Sequence, residues 1–310
     1  MPRGRLPQLD GDLHITDGGM ETTLIFHHGV DLPHFASFDL LKDEAGRQLL
    51  RDYYASYVDL ARELGVGLLL DTPTWRANRD WGAKLGYSEE ALERVNRDGV
   101  QLVQELRSDD GPPIVVSGCV GPRGDGYQAS SRMTTAEATA YHAPQVETLA
   151  SSGADMVSVL TMTYAEEPAG VVHAGVAAGI PVAVSFTVET DGRLPSGQPL
   201  RDAVEQVDAE TEGAAAYFMI NCAHPTHFAD AIGAGEPWVD RIGGLRANAS
   251  AKSHAELDES DSLDDGDPAE LGAHYGELRP SLPRVTVIGG CCGTDHRHIG
   301  EMYRGWSAAS

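Results

Sequence analysis

The amino-acid sequence predicts a single (β/α)8 barrel, an α/β fold, and three observations carry that reading. Eight short apolar runs, rich in β-branched residues, recur along the chain, each closed by Gly, Pro, Asn or Asp. Amphipathic stretches of helical length follow most of them, and strand alternating with helix is the pattern of a parallel sheet covered by helices. The first run leads into Asp17-Gly18-Gly19-Met20-Glu21 instead of G-x-G-x-x-G, which argues against an open dinucleotide-binding sheet. A length of 310 residues suits one barrel with loop insertions.

In order, the strands are expected at residues 12–16, 66–70, 114–117, 155–160, 182–186, 217–221, 241–245 and 285–288. Helices are expected at 51–64, where Tyr54, Tyr57, Val58 and Ala61 share a face, and at 88–106, 135–151 and 200–213. The segment 255–270 carries eight acids and no Lys or Arg. It reads as a solvated acidic insertion after the seventh strand, within about 252–280, and it lacks the D-x-[DN]-x-[DN]-G spacing of a calcium loop. The domain expectation is therefore one unit, 1–310.

Composition narrows the partners. The net charge of −24 argues against nucleic acid or an anionic membrane. No window offers the roughly 18 consecutive apolar residues of a membrane span. The polar start lacks the apolar core of a secretory signal. Four cysteines are too few for a disulfide scaffold, and a cytoplasmic location is expected. Oligomeric state is not legible.

Barrel chemistry gathers at the C-terminal tips of the strands. Three of the four cysteines fall there: Cys222 after strand six, Cys291 and Cys292 after strand eight. Alternate strands feed the same interior layer, so these tips can face one another. A thiolate cluster suits a soft or borderline cation, zinc first, and three ligands with an open fourth position is the catalytic arrangement. The alternative is three buried small hydrophobes. Cys119, at the third tip, reads as a wall residue with a fourth-ligand role as the alternative. His224, His227, His296 and His298 read as loop or supporting residues. Trp75 and Tyr164 are candidates to line a cationic pocket through their ring faces.

Asp17-Gly18-Gly19-Met20-Glu21-Thr22, Val184-Ser185-Phe186-Thr187, Asn221-Cys222 and Gly289-Gly290-Cys291-Cys292-Gly293-Thr294 stand in an order and separation that resemble the homocysteine S-methyltransferase family. The resemblance runs from about residue 13 to 298. It implies a barrel holding Zn2+ through Cys222, Cys291 and Cys292, these also being the catalytic residues. The activity it implies is methyl transfer from an onium donor (S-methylmethionine, S-adenosylmethionine or betaine) to the thiol of homocysteine or a close analogue, forming methionine. It also implies that the Gly18 and Gly19 N–H groups meet the amino-acid carboxylate and Asp17 its ammonium. A Gly-Gly turn at a helix start is a reasonable anion site, and an ordinary turn capped by Asp17 is the alternative. Asn221 and Asn248 are candidates for orienting substrate or metal.

Two positions depart from the family. Leu160-Thr161 stands where relatives commonly carry a Glu-Thr pair whose Glu holds the substrate ammonium. Glu21, where relatives often have Gly or Ala, is the candidate to supply that missing charge. A buried ammonium needs a charged partner. Competing readings are a non-catalytic or altered-substrate zinc- or thiol-binding barrel, and a lyase or isomerase using Gly289-Gly290 as a phosphate site.

Overall fold

The computed structural model describes residues 6–130, 132–233, 235–258, 260 and 262–309. Eight parallel strands close into a barrel in sequence order: β1 (His14–Thr16), β2 (Gly67–Asp71), β3 (Ile114–Val120), β4 (Met156–Met162), β5 (Val182–Phe186), β6 (Tyr217–Asn221), β7 (Ile242–Ala247) and β8 (Val287–Gly290). The seam is made by His14, which is in register with Gly67 of β2 on one side and Val287 of β8 on the other. Every strand residue is buried, as the near-continuous apolar runs require when helices cover the outside.

β3 and β7 run further toward the mouth than the sequence pattern suggests. Gly118 reads as a strand stop, but a Cβ there would press on Leu149 of the covering helix, so glycine is a packing requirement within the strand. In β7 the apolar run ends at Leu245, yet Arg246 pairs in register with Gly289 and keeps the ladder going. Its charge is met inside the barrel.

The helix Glu44–Leu64 begins at Asp43, whose side chain accepts from the Gly46 N–H, and ends at Gly65 in the left-handed region, φ 68°. It starts a turn or two before the expected 51 and buries Tyr53 as well as Tyr54, Tyr57 and Ala61. Glu89–Gln104, Thr135–Ser151 and Leu200–Glu210 lie where amphipathicity placed them, the second opened by a Thr134/Glu137 capping box. Glu166–Ala178 packs closely on Thr135–Ser151 because Gly170 leaves room for the backbone around Thr135 and Thr139. The sixth connection is reduced to the turn Pro225–Phe228 and a short 3-10 turn, Pro237–Arg241.

The expected insertion at 252–280 needs correction. Pro268–Leu278 within it is the seventh barrel helix, set against the last helix, His296–Ala308, through Gly272 and Gly305. Only the stretch before Pro268 is extra, including the short helix His254–Asp258, and its Leu257, Leu263 and Asp264 line the cavity at the mouth. No helix among the described residues is long and apolar enough to cross a membrane.

Candidate metal and substrate site

The three cysteines converge. Cys222 follows β6 with φ 53°, a strained left-handed conformation for a side-chain-bearing residue, and its N–H is fixed on the Arg246 carbonyl at 3.2 Å. Cys291 follows β8, its N–H on the Ala247 carbonyl at 2.8 Å. The Sγ atoms of Cys222, Cys291 and Cys292 all lie within 4.8 Å of one another, with Cys222 and Cys292 3.8 Å apart. Tetrahedral zinc with Zn–S bonds of about 2.3 Å places its sulfurs about 3.8 Å apart. The trio fits that ion.

Neighbours hold the thiols in place. Asn221 donates through Nδ2 toward Cys291 Sγ at 3.9 Å and to Thr161 Oγ1 at 2.8 Å, while its Oδ1 accepts from the Thr161 N–H and Ser185 Oγ. The Tyr127 hydroxyl lies 3.6 Å from Cys292 Sγ and 4.0 Å from Cys222 Sγ. Its ring stacks on His254 at 4.1 Å, and His254 Nε2 lies 2.7 Å from the Cys222 carbonyl oxygen. Hydrogen bonds from the other two thiols hold Cys291 well below the ordinary thiol range, and they push Cys222 up. Cys119 stands apart in β3, among Leu69, Val115 and Leu160, with burial holding its thiol neutral. It is a wall residue.

Below the trio lies a buried ion cluster that the sequence did not disclose. Arg246 sends one nitrogen to Asp17 Oδ1 at 2.7 Å, another to Asp71 Oδ2, and its Nε to the Gly290 carbonyl at 3.2 Å. Tyr53 donates to Asp17 Oδ2 at 3.1 Å. Burial pushes the Asp17 carboxyl up to about 7; the Arg246 charge opposes this and Asp71 adds to it. The signal was present in principle: Gly244 and Arg246 are two apart on β7, so both face inward.

Several expected roles meet a different geometry. Asp17 lines the cavity with both its oxygens already accepting hydrogen bonds, one from Arg246 and one from Tyr53. The Gly19 N–H donates to the Thr294 carbonyl at 2.9 Å and the Gly18 N–H faces the Tyr57 hydroxyl oxygen, which turns both donors into the protein and away from a carboxylate. Glycine is required here for closeness: a Cβ on Gly18 would meet Thr294 and Tyr57, and one on Gly19 would meet Thr22 and Cys291. Asn248 is buried outside the cavity lining. Gly289 and Gly290 are strand residues whose missing side chains leave room for Thr16 and Thr294, not for a phosphate. Glu21 does line the cavity, hydrogen-bonded by Ser37 at 2.8 Å.

Of the aromatic candidates, Trp75 lines the cavity but Arg76 covers its ring face; Tyr164 is outside the lining, donating nothing to it and accepting from the Met133 N–H. His298 serves the Asp295 cap of the last helix, and His224, His227 and His296 lie outside the cysteine trio. Sequence reasoning missed Arg76, Tyr127 and His254, because no short motif marks them, and it placed Asp71 at the tip of the second strand without giving it a role.

A closed barrel presenting three thiols at a cavity of about 510 Å³ has the form of a small-molecule site that can hold a thiophilic metal ion. The family model for homocysteine S-methyltransferase matches residues 14–305, and the chain belongs to that family as a methyltransferase. Among solved structures it is similar to the Escherichia coli homocysteine methyltransferase MmuM. The oxidised form superposes with a TM-score of 0.74 at 21% identity, covering 94% of this chain and 96% of that one. The metallated form gives 0.72 at 22% identity, with 96% of each chain covered. No curated protein matches the chain in sequence.

Proposed function

We propose that this enzyme moves a methyl group from an onium donor (S-methylmethionine, S-adenosylmethionine or betaine) to the homocysteine thiol, giving methionine, with zinc held by Cys222, Cys291 and Cys292. The observation that carries the reading is the 3.8 Å spacing of Cys222 and Cys292 at the open end of the cavity, with Cys291 completing the trio. Zinc, when bound there, supplies the charge that keeps an acceptor thiol deprotonated at neutral pH.

The chain's own residues do the rest. Asn221 orients Cys291, and the Tyr127 hydroxyl lies against the other two sulfurs. The cavity lining carries Asp17, Glu21, Asp71, Asp125 and Asp264 against Arg76 and Arg246, an excess of negative charge that favours a cationic donor. The new S–CH3 bond forms as the onium–CH3 bond breaks; the donor leaves one charge unit less positive and the thiol proton passes to solvent. Charge dispersal on that path is favoured where protein walls exclude water. With Asp17 engaged and Leu160 apolar, Glu21 is the carboxylate that takes the substrate ammonium. The chain works as one barrel domain in a reducing cytoplasm, which keeps its four cysteines as thiols.

Metal analysis of purified wild type and Cys292→Ser, with methionine measured by mass spectrometry after incubation with homocysteine and each donor, tests the proposal. About one zinc per wild-type chain, lost together with methionine formation in the variant, is the expected result. A metal-free enzyme that still forms methionine overturns the zinc assignment, and no methionine from any donor overturns the acceptor.

A further inference from the structure

With the Gly18 and Gly19 N–H groups turned inward, the substrate's carboxylate needs another receptor, and Arg76 has the geometry of one. It is only 7% exposed, yet it lines the cavity that holds the cysteines. Its guanidinium lies between two indoles, 4.1 Å from the Trp75 ring centre and 3.9 Å from that of Trp81. Nη1 donates to the Gly124 carbonyl at 2.9 Å. With both faces covered and one corner tied down, the group is fixed in plane, and the edge that remains is the one formed by Nε and Nη2. Nε on that edge is buried without a partner.

An unmet buried donor is unfavourable, and an arginine edge of this kind matches two carboxylate oxygens side by side. Asp125 and Glu21 are the acids whose fields reach Arg76, but among the described residues neither comes close enough to close an ion pair with it, and Asp125 already accepts from the Tyr127 N–H at 2.7 Å. Burial lowers the guanidinium to about 10, so it stays charged at neutral pH.

We propose that the Nε/Nη2 edge of Arg76 is a carboxylate subsite that binds the carboxylate of the amino-acid substrate, opposite in charge to Glu21 on the same cavity. The assignment rests on the proposed acceptor for its ligand but not for its geometry. An arginine held between indoles fixes the plane of the carboxylate, and a thiol without that group loses its anchor. The acceptor and a carboxylate-bearing donor share this chemistry, and the experiment separates them.

Calorimetric titration of the purified protein with L-methionine and with its decarboxylated counterpart 3-(methylthio)propylamine reads the subsite without turnover. Wild type is expected to favour L-methionine by about 10- to 100-fold, the range of a charge-assisted bidentate contact. Arg76→Met, which keeps bulk between the indoles, is expected to bring the two ligands to within about threefold. Arg76→Lys, which keeps charge without the fork, falls between. Repeating the comparison as kcat/KM, with homocysteine against 3-aminopropane-1-thiol and then S-methylmethionine against its decarboxylated sulfonium, shows which substrate's discrimination collapses in Arg76→Met. Either collapse supports the subsite and names its occupant. Unchanged ligand preference in both folded variants overturns it, even where methionine is formed; lost preference with no methyl transfer to homocysteine leaves the subsite standing and removes the acceptor.

Discussion

Asp17 and Arg246 stand 229 positions apart in the chain, yet Oδ1 of the one lies 2.7 Å from a guanidinium nitrogen of the other inside the barrel. Asp71, from β2, meets the same guanidinium. Two buried acids share one buried cation, and the arrangement joins the tips of β1, β2 and β7 beneath the cysteines.

Removing that cation leaves two desolvated carboxylates facing each other. Arg246→Met is expected to destabilise the fold by about 3 to 5 kcal/mol, read from urea unfolding. Adding Asp17→Asn and Asp71→Asn to it should restore most of the loss, because the uncompensated charges go with the acids. A triple variant as unstable as the single one contradicts this account.

The raised Asp17 carboxyl makes stability depend on pH with a definite sign. In the unfolded chain it titrates near 3.8 and in the folded protein near 7. Between those values the native state keeps a proton that the unfolded state has released, so this group's contribution, fully present below about pH 4, is lost as pH rises through 7. Asp17→Asn cannot titrate. The urea midpoint of metal-free wild type should therefore fall relative to that of Asp17→Asn between pH 5 and 7.5, and a rise over that range would refute the assignment.

Tyr127 reaches Cys222 and Cys292 with its hydroxyl, while its ring rests on His254. Tyr127→Phe should keep the stacking and the fold but weaken zinc binding about tenfold or more, as loss of a partner just outside the ligands does in other metal sites. Competition with a chromophoric chelator measures it. Unchanged affinity would show that the hydroxyl contributes nothing to the metal.

At the barrel seam, a Cβ on Gly289 would overlap the Thr16 side chain. Gly289→Ala is expected to destabilise the protein by about 1 to 3 kcal/mol by overpacking. Gly29→Ala serves as a control for general glycine effects: nothing lies near its Cβ, and only its φ of 65° opposes the change.

The architecture was legible because each strand is an apolar run too short for a helix and four of the outer helices stood out as amphipathic stretches between them, whereas Glu166–Ala178, apolar and buried along most of its length, shows no such stripe. Strand ends were less legible. Gly118 and Arg246 look like stops, one because glycine also punctuates turns, the other because its charge is answered only by Asp17 and Asp71 across the barrel. The cysteine trio was legible as a set since strand tips define the mouth. The surroundings of substrate were not: whether the Gly19 N–H points outward or onto Thr294, and whether Asp17 is free or held by Arg246, depends on contacts between residues more than 200 positions apart.

The backbone ladder around β7 has a consequence for how metal is acquired. Asn221 and Arg246 are in register across β6 and β7, as are Ala247 and Gly290 across β7 and β8, and Cys222 and Cys291 follow directly from that ladder, with Cys292 next in the chain. The sheet therefore fixes where the backbone presents these cysteines. Unlike a small zinc finger, which collapses without its ion, a barrel built this way would not need an ion bound by these cysteines in order to fold, and its folded population is expected to stay constant when metal is withdrawn.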